Sequence, residues 1–123
     1  MPDFNADIID VVTKNTFWQK EVYRDKQIQI VMMHIPPGED IGEEVHPADQ
    51  STFIVSGEGE VMVSGRTSKI AQSHLVVVPK GRNHNFTNTG SEPLKLYSVY
   101  SPPAEPEGVA FKTKAEAEEA EED

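Results

Sequence analysis

Between residues 26 and 35 the chain alternates Ile28, Ile30 and Met32 with Gln27, Gln29 and Val31, then loses its polar positions. A period of two predicts a β-strand with one face, that of Ile28, Ile30 and Met32, in the core. Pro36, Pro37 and Gly38 end it. Residues 52–55 and 60–64 predict two more strands, with 56–59 read as a hairpin turn between them and Gly65 closing the second. A continuous apolar run at 75–78 stops at Pro79-Lys80-Gly81. An extended segment at 83–87 stops at Thr89-Gly90-Ser91, and residues 94–100 form the last strong strand. Nearer the start, residues 7–12 hold an apolar cluster that suits a helical turn or an extended arm, and Phe17, Trp18 and Tyr23 suggest a further strand. Short strands at close spacing, with turn residues between them, predict an all-β jelly roll or barrel.

Length limits the answer to one domain, since 123 residues enclose one real core and not two. The expected division is an N-terminal arm and first strand over 1–25, a barrel over 26–103, and an acidic, flexible tail over 104–123. The tail carries eight of the 21 acidic residues and two of the 11 basic ones, and its end, K-A-E-A-E-E-A-E-E-D, is polar all round. A net charge of −10 repels phosphate backbones, so nucleic-acid partners are not expected. With no cysteine the chain has neither disulfides nor a zinc–thiolate site, and a metal ion would need nitrogen and oxygen donors. Residues 1–10 have three acids and no base, and no apolar run reaches about 18 residues, so neither a signal peptide nor a membrane span is expected. A cytoplasmic location follows as the expectation.

Two stretches carry the chemistry. The first, residues 38–57, reads G-E-D-I-G-E-E-V-H-P-A-D-Q-S-T-F-I-V-S-G, and the second, residues 73–88, reads S-H-L-V-V-V-P-K-G-R-N-H-N-F-T-N. Together they resemble the paired signature motifs of the cupin superfamily. Gly38, Glu44, His46, Gln50 and Gly57 fill the slots of the first motif, and Ser73, Pro79, Gly81, His84 and Asn88 those of the second. Seven of these keep the family residue type in register, which places coincidence well below about one in a million. The resemblance implies a double-stranded β-helix, the jelly-roll cupin barrel, and places the chain near small single-domain cupins grouped with mannose-6-phosphate isomerases. A homodimer is implied as well, with the N-terminal arm packed on the partner.

The same resemblance implies a site for one divalent metal ion held by Glu44, His46, Gln50 and His84. Family members commonly use three His and one Glu, whereas here Glu44 stands in the first His slot and Gln50 in the Glu slot. Similar to a subgroup with Glu-x-His followed by Asp-Gln, the set still offers four nitrogen or oxygen donors. Residues 44 and 46 share a strand face, Pro47-Ala48-Asp49 bends the chain so that Gln50 returns, and His84 comes from the opposing strand. Two imidazoles and a carboxylate suit Fe, Mn, Ni or Zn without distinguishing them. The expected function is a metal-dependent enzyme of isomerase or lyase type acting on a small oxygenated metabolite such as a sugar or its acid. The alternatives are a non-catalytic module that binds a small ligand, and an Fe(II) dioxygenase. No individual catalytic residue is assigned. His34 and His74 lie off the motif and are read as structural or surface residues, Asn88 as a partner for buried backbone groups, and Phe53, Phe86, Tyr97 and Met32 as lining of the barrel.

Overall fold

The computed structural model describes residues 4–122; residues 1–3 and 123, at the ends of the expected arm and tail, lie outside them. Among the described residues nine strands and two helices follow in the order α1 (Ile8–Lys14), β1 (Gln19–Arg24), β2 (Gln29–Ile35), β3 (Asp49–Ser56), β4 (Glu58–Val63), β5 (Arg66–Ala71), β6 (Leu75–Val78), β7 (His84–Asn88), β8 (Leu94–Ser101), β9 (Ala110–Phe111) and α2 (Lys114–Glu122). They build two antiparallel sheets, six strands in the order β6-β3-β8-β2-β1-β9 facing three in the order β5-β4-β7. This is the jelly-roll barrel. Among the described residues no helix is long and apolar enough to cross a membrane.

The barrel interior changes character along its length. Ile54 pairs with Leu96, and Met33 with Leu96 from the other side, while Thr52 and Val31 both pair with Ser98, and Gln50 with Tyr100. At one end Ile35, Ile54, Leu94, Leu96 and Phe86 make a closed apolar core with Trp18 and Val61. Toward the other end the inward positions become Gln29, Gln50, Thr52 and Ser98, all buried. Buried polar side chains are retained only where they are bonded to one another or to something else. Gln29 is bonded to the main chain of residues 104 and 105, and Gln50, Thr52 and Ser98 are bonded to one another.

Alternation on β2 has the opposite parity to the one read from sequence. Gln29, Val31, Met33 and Ile35 point into the barrel, and Met32 lies on the outer face with Val55 and Val12 of α1. Phe53 and Tyr97, with ring centroids 5.7 Å apart, pack on that outer cluster, so of the four expected lining residues only Phe86 is interior. The physical reason is that this sheet is covered on both faces. Helix α1 supplies the outer cover: Asp7 caps it by accepting from the Asp10 amide at 3.1 Å, and Ile8, Val11 and Val12 share one face.

Residues 56–59 do not form a hairpin. Strands β3 and β4 lie in different sheets, and Gly57 (φ +93°) turns the corner between them; a Cβ there would sit 2.6 Å from the Pro93 carbonyl oxygen. Gly59 is required by packing, because a Cβ would meet the Thr87 carbonyl oxygen at 2.1 Å. Two strands escape the period-two reading. In β5 only Ile70 is buried, as suits an edge strand, and β9 is two residues long.

The segment from residue 104 is also more engaged than a flexible, solvated tail would be. Val109 is buried against Val31, Ala48 and Tyr100, β9 pairs with β1, and Ala117 of α2 packs on the main core cluster. Apolar burial at 109, 111 and 117 outweighs the polarity of the surrounding residues.

Candidate metal centre

Glu44 is held by a single antiparallel rung against His84, with reciprocal main-chain hydrogen bonds of 2.9 and 3.0 Å. That rung aligns the first motif with the start of β7. Two residues on, the His46 carbonyl accepts from the Gly81 amide at 3.0 Å, so the Pro79-Lys80-Gly81 turn locks the second motif against the first. One ligand-capable atom from each of Glu44, His46 and His84 falls within 4.8 Å of the others. The imidazole centroids of His46 and His84 are 5.4 Å apart, and the Tyr100 ring stands edge-on to His46 at 5.2 Å.

Orientation of each donor is set by its neighbours. His84, 2% exposed, has Nδ1 3.0 Å from the Arg82 carbonyl, which fixes that nitrogen as the N–H donor and leaves a lone pair on Nε2. Gln50, on β3 opposite Tyr100, donates through Nε2 to Thr52 Oγ1 at 3.0 Å and Ser98 Oγ at 3.4 Å, and those hydroxyls are bonded to each other at 2.6 Å. Its Oε1 is thereby aimed away from them. Among the described residues three buried side-chain atoms have no hydrogen-bond partner: His46 Nε2, His84 Nε2 and Gln50 Oε1. A buried polar atom without a partner costs about 1–3 kcal/mol, which applies in full to His84 Nε2 and Gln50 Oε1, and with His46 Nε2 between two carboxylates the motif slots present a set of donors suited to a cation. The residues fit a divalent ion.

Asn88 binds backbone as expected. It donates to the Ile35 and Glu92 carbonyls at 2.8 Å each and accepts from the Gly90 amide at 2.9 Å. His34 Nδ1 is 3.2 Å from the Asn15 carbonyl, and exposed His74 lines a separate 730 Å³ cleft with Arg66, Lys69 and Arg82. Neither approaches the centre formed by the motifs.

Glu105 was invisible in the sequence pattern. Its Oε1 lies 3.5 Å from His46 Nε2, on a side chain only 11% exposed, while Glu44 Oε1 is 3.6 Å from the same nitrogen. Burial, followed by the Glu44 charge, raises the Glu105 pKa to about 7. Glu44 raises the His46 pKa against burial, and Glu105 adds to the rise. Burial, Glu105 and Glu44 push the Tyr100 phenol up as well. The hint in the sequence was the apolar pair Val109 and Phe111 after the Pro-rich exit, which signals that this segment docks. Helix α2 lies on the Glu44 side of the centre, where Glu44, Trp18, Gln19, Ala117, Glu118 and Glu121 line a small cavity of 40 Å³ that the other three motif residues do not reach.

A cupin-domain family model matches residues 31–100, more than half of the chain, which therefore belongs to the cupin family. The chain is 37% identical to YrkC of Bacillus subtilis over 125 residues, covering 96% of itself and 67% of that protein. Its fold matches BH2720 of Bacillus halodurans with a TM-score of 0.92 and 34% identity, covering 96% and 95% of the two chains. More distantly, a predicted oxalate decarboxylase from Thermotoga maritima superposes with a TM-score of 0.60 at 25% identity, covering 63% of this chain and 69% of that one. KdgF from Halomonas, at 21% identity and TM-score 0.63, covering 69% and 77%, shares the fold alone.

Proposed function

We propose that the chain binds one divalent metal ion through Glu44, His46, Gln50 and His84, and that the loaded site acts on a small oxygenated metabolite such as a sugar, by isomerase- or lyase-type chemistry. The observation that carries this reading is the set of buried atoms without a hydrogen bond, His84 Nε2, Gln50 Oε1 and His46 Nε2, the last facing the Glu44 and Glu105 carboxylates at 3.6 and 3.5 Å. When bound, the ion would supply Lewis-acid polarisation of a carbonyl or hydroxyl. The chain does the rest. Arg82 holds the His84 tautomer, the Thr52–Ser98 pair holds the Gln50 amide, Glu44 offsets part of the ionic charge, and apolar neighbours such as Phe86 limit water. The likeness to a predicted oxalate decarboxylase supports small-molecule chemistry for such a barrel.

The second reading is a metal-stabilised binding module, and it is favoured because Glu44, the one carboxylate among the four donors, would be held by the ion and so would not be free to move a proton. Proton exchange separates the two. Metal-loaded protein mixed in D2O with a panel of reducing sugars should remove an α-proton signal of one of them in the NMR spectrum, and EDTA should abolish the loss. Metal uptake without exchange of any sugar proton would favour the module.

A further inference from the structure

We infer that Glu105, delivered by the C-terminal strap of residues 104–111, is a second carboxylate of the metal centre that accepts a hydrogen bond from the bound ligand and selects neutral hydroxylated molecules over anions. This rests on the metal-binding reading above and deepens it, because it chooses the sugar over its acid.

The strap is built to hold this side chain in place. Gln29, fully buried, accepts through Oε1 from the Ala104 amide at 3.1 Å and the Glu105 amide at 2.9 Å, and donates through Nε2 to the Glu105 carbonyl at 3.2 Å. The same Nε2 donates to Glu21 Oε1 at 2.9 Å, and Glu21 Oε2 accepts from the Gly108 amide at 3.1 Å. The Glu21 amide in turn donates to the Val109 carbonyl at 2.8 Å. These contacts hold the main chain on both sides of residue 105 and leave its carboxylate turned inward against His46. Such a clamp on an otherwise acidic, exposed segment would be superfluous for a solvated glutamate.

Position decides the role. Glu44, His46 and His84 form the compact set, while Glu105 meets the centre at His46 and stands outside it. A carboxylate beside a ligand set, with oxygens directed at the interior, is placed to accept from a hydroxyl or water rather than to complete the coordination. Charge gives the selectivity. Glu44 alone would leave about one positive charge on a divalent ion and invite an anion, whereas with the cation in place beside His46 the Glu105 carboxyl is ionised too, and the two carboxylates bring the centre near neutrality. An entering anion then meets the Glu105 charge at close range in a partly dry site, which disfavours it by about 10- to 100-fold.

The test uses a matched pair of probes, glycerol and glycerate, titrated into Co(II)-loaded full-length protein and followed by its visible absorption. The parent should prefer glycerol. In Glu105→Gln, which keeps the main-chain clamp, glycerate affinity should rise about tenfold or more and glycerol affinity should fall, with Glu105→Ala moving both the same way. Co(II) affinity should fall less in Glu105→Gln than in Glu44→Gln. Circular dichroism establishes that each variant folds. A glycerate-to-glycerol ratio unchanged in both variants that still bind Co(II), or a parent that prefers glycerate, overturns the inference while leaving the metal centre standing. Failure of the parent to take up Co(II) would overturn both.

Discussion

Replacing Gln29 by Ala removes one side chain and should release the whole strap. The amide is completely buried and makes four hydrogen bonds, three of them to main-chain groups of residues 104 and 105 and one to Glu21. Each such bond contributes about 1 kcal/mol net, and a group left buried without a partner costs about 1–3 kcal/mol. Part of that cost is relieved if the strap lifts into water, but lifting it exposes Val109 and breaks the pairing of β9 with β1. Either route gives a loss of about 3–5 kcal/mol, a large share of the 5–15 kcal/mol expected of a whole domain. Urea unfolding of the metal-free protein measures it, and amide exchange over 104–111 shows whether the strap opens separately from the barrel. Gln29→Glu is the control. It keeps the shape and the one oxygen that accepts from both the Ala104 and Glu105 amides, yet sets a carboxylate oxygen against Glu21 and the Glu105 carbonyl, so it should also destabilise at neutral pH and recover as pH falls. A loss below about 1 kcal/mol for Gln29→Ala, with exchange unchanged, would show that the clamp is not what docks the strap.

Two further outcomes follow from the same geometry. The Glu105 pKa rises from 4.5 to about 7 on folding and that of His46 is raised too, so the folded chain holds more protons over this window. Stability of the metal-free protein should therefore fall as pH rises from about 5 to 8, by at most roughly 3 kcal/mol from Glu105, and the urea midpoint of Glu105→Gln should depend less on pH; a midpoint that climbs with pH would contradict the assignment. Ending the chain after Lys112 removes the Lys114 contacts with Glu39 and Asp40 and the Ala117 packing, and should cost about 1–2 kcal/mol, whereas ending it after Pro103 also removes Val109 and the clamp and should cost several times more. Equal thermal midpoints for the two truncations would mean that the strap adds nothing.

What the sequence revealed was governed by fixed residue types at fixed spacing. Gly57, Pro79, Gly81, His84 and Asn88 each answer a local demand, such as a corner, a turn or backbone carbonyls needing a donor, and those demands can be read one residue at a time. Facing was harder. On β2 the alternation puts Ile30 and Met32 in one row and Gln29 and Val31 in the other, and hydrophobicity favours the wrong row because Gln29 is inside for its hydrogen bonds and Met32 is covered from outside by α1. Phe53 and Tyr97 were misplaced for the same reason. Glu105 could not be found from local pattern, since its importance comes from bonds that bring residue 105 against residue 29, far away along the chain. Acidic composition disguised a docked segment as a solvated one.

The central claim is that residues from the two motifs meet on one ion. Elemental analysis and calorimetric titration of the full-length chain with Zn(II), Mn(II), Fe(II) and Ni(II) test it directly, alongside His46→Ala, His84→Ala, and the controls His34→Ala and His74→Ala. The expected result is one divalent ion per chain for the parent and both controls, with affinity reduced at least about 100-fold in His46→Ala and His84→Ala. Unchanged stoichiometry and affinity in those two variants would contradict it.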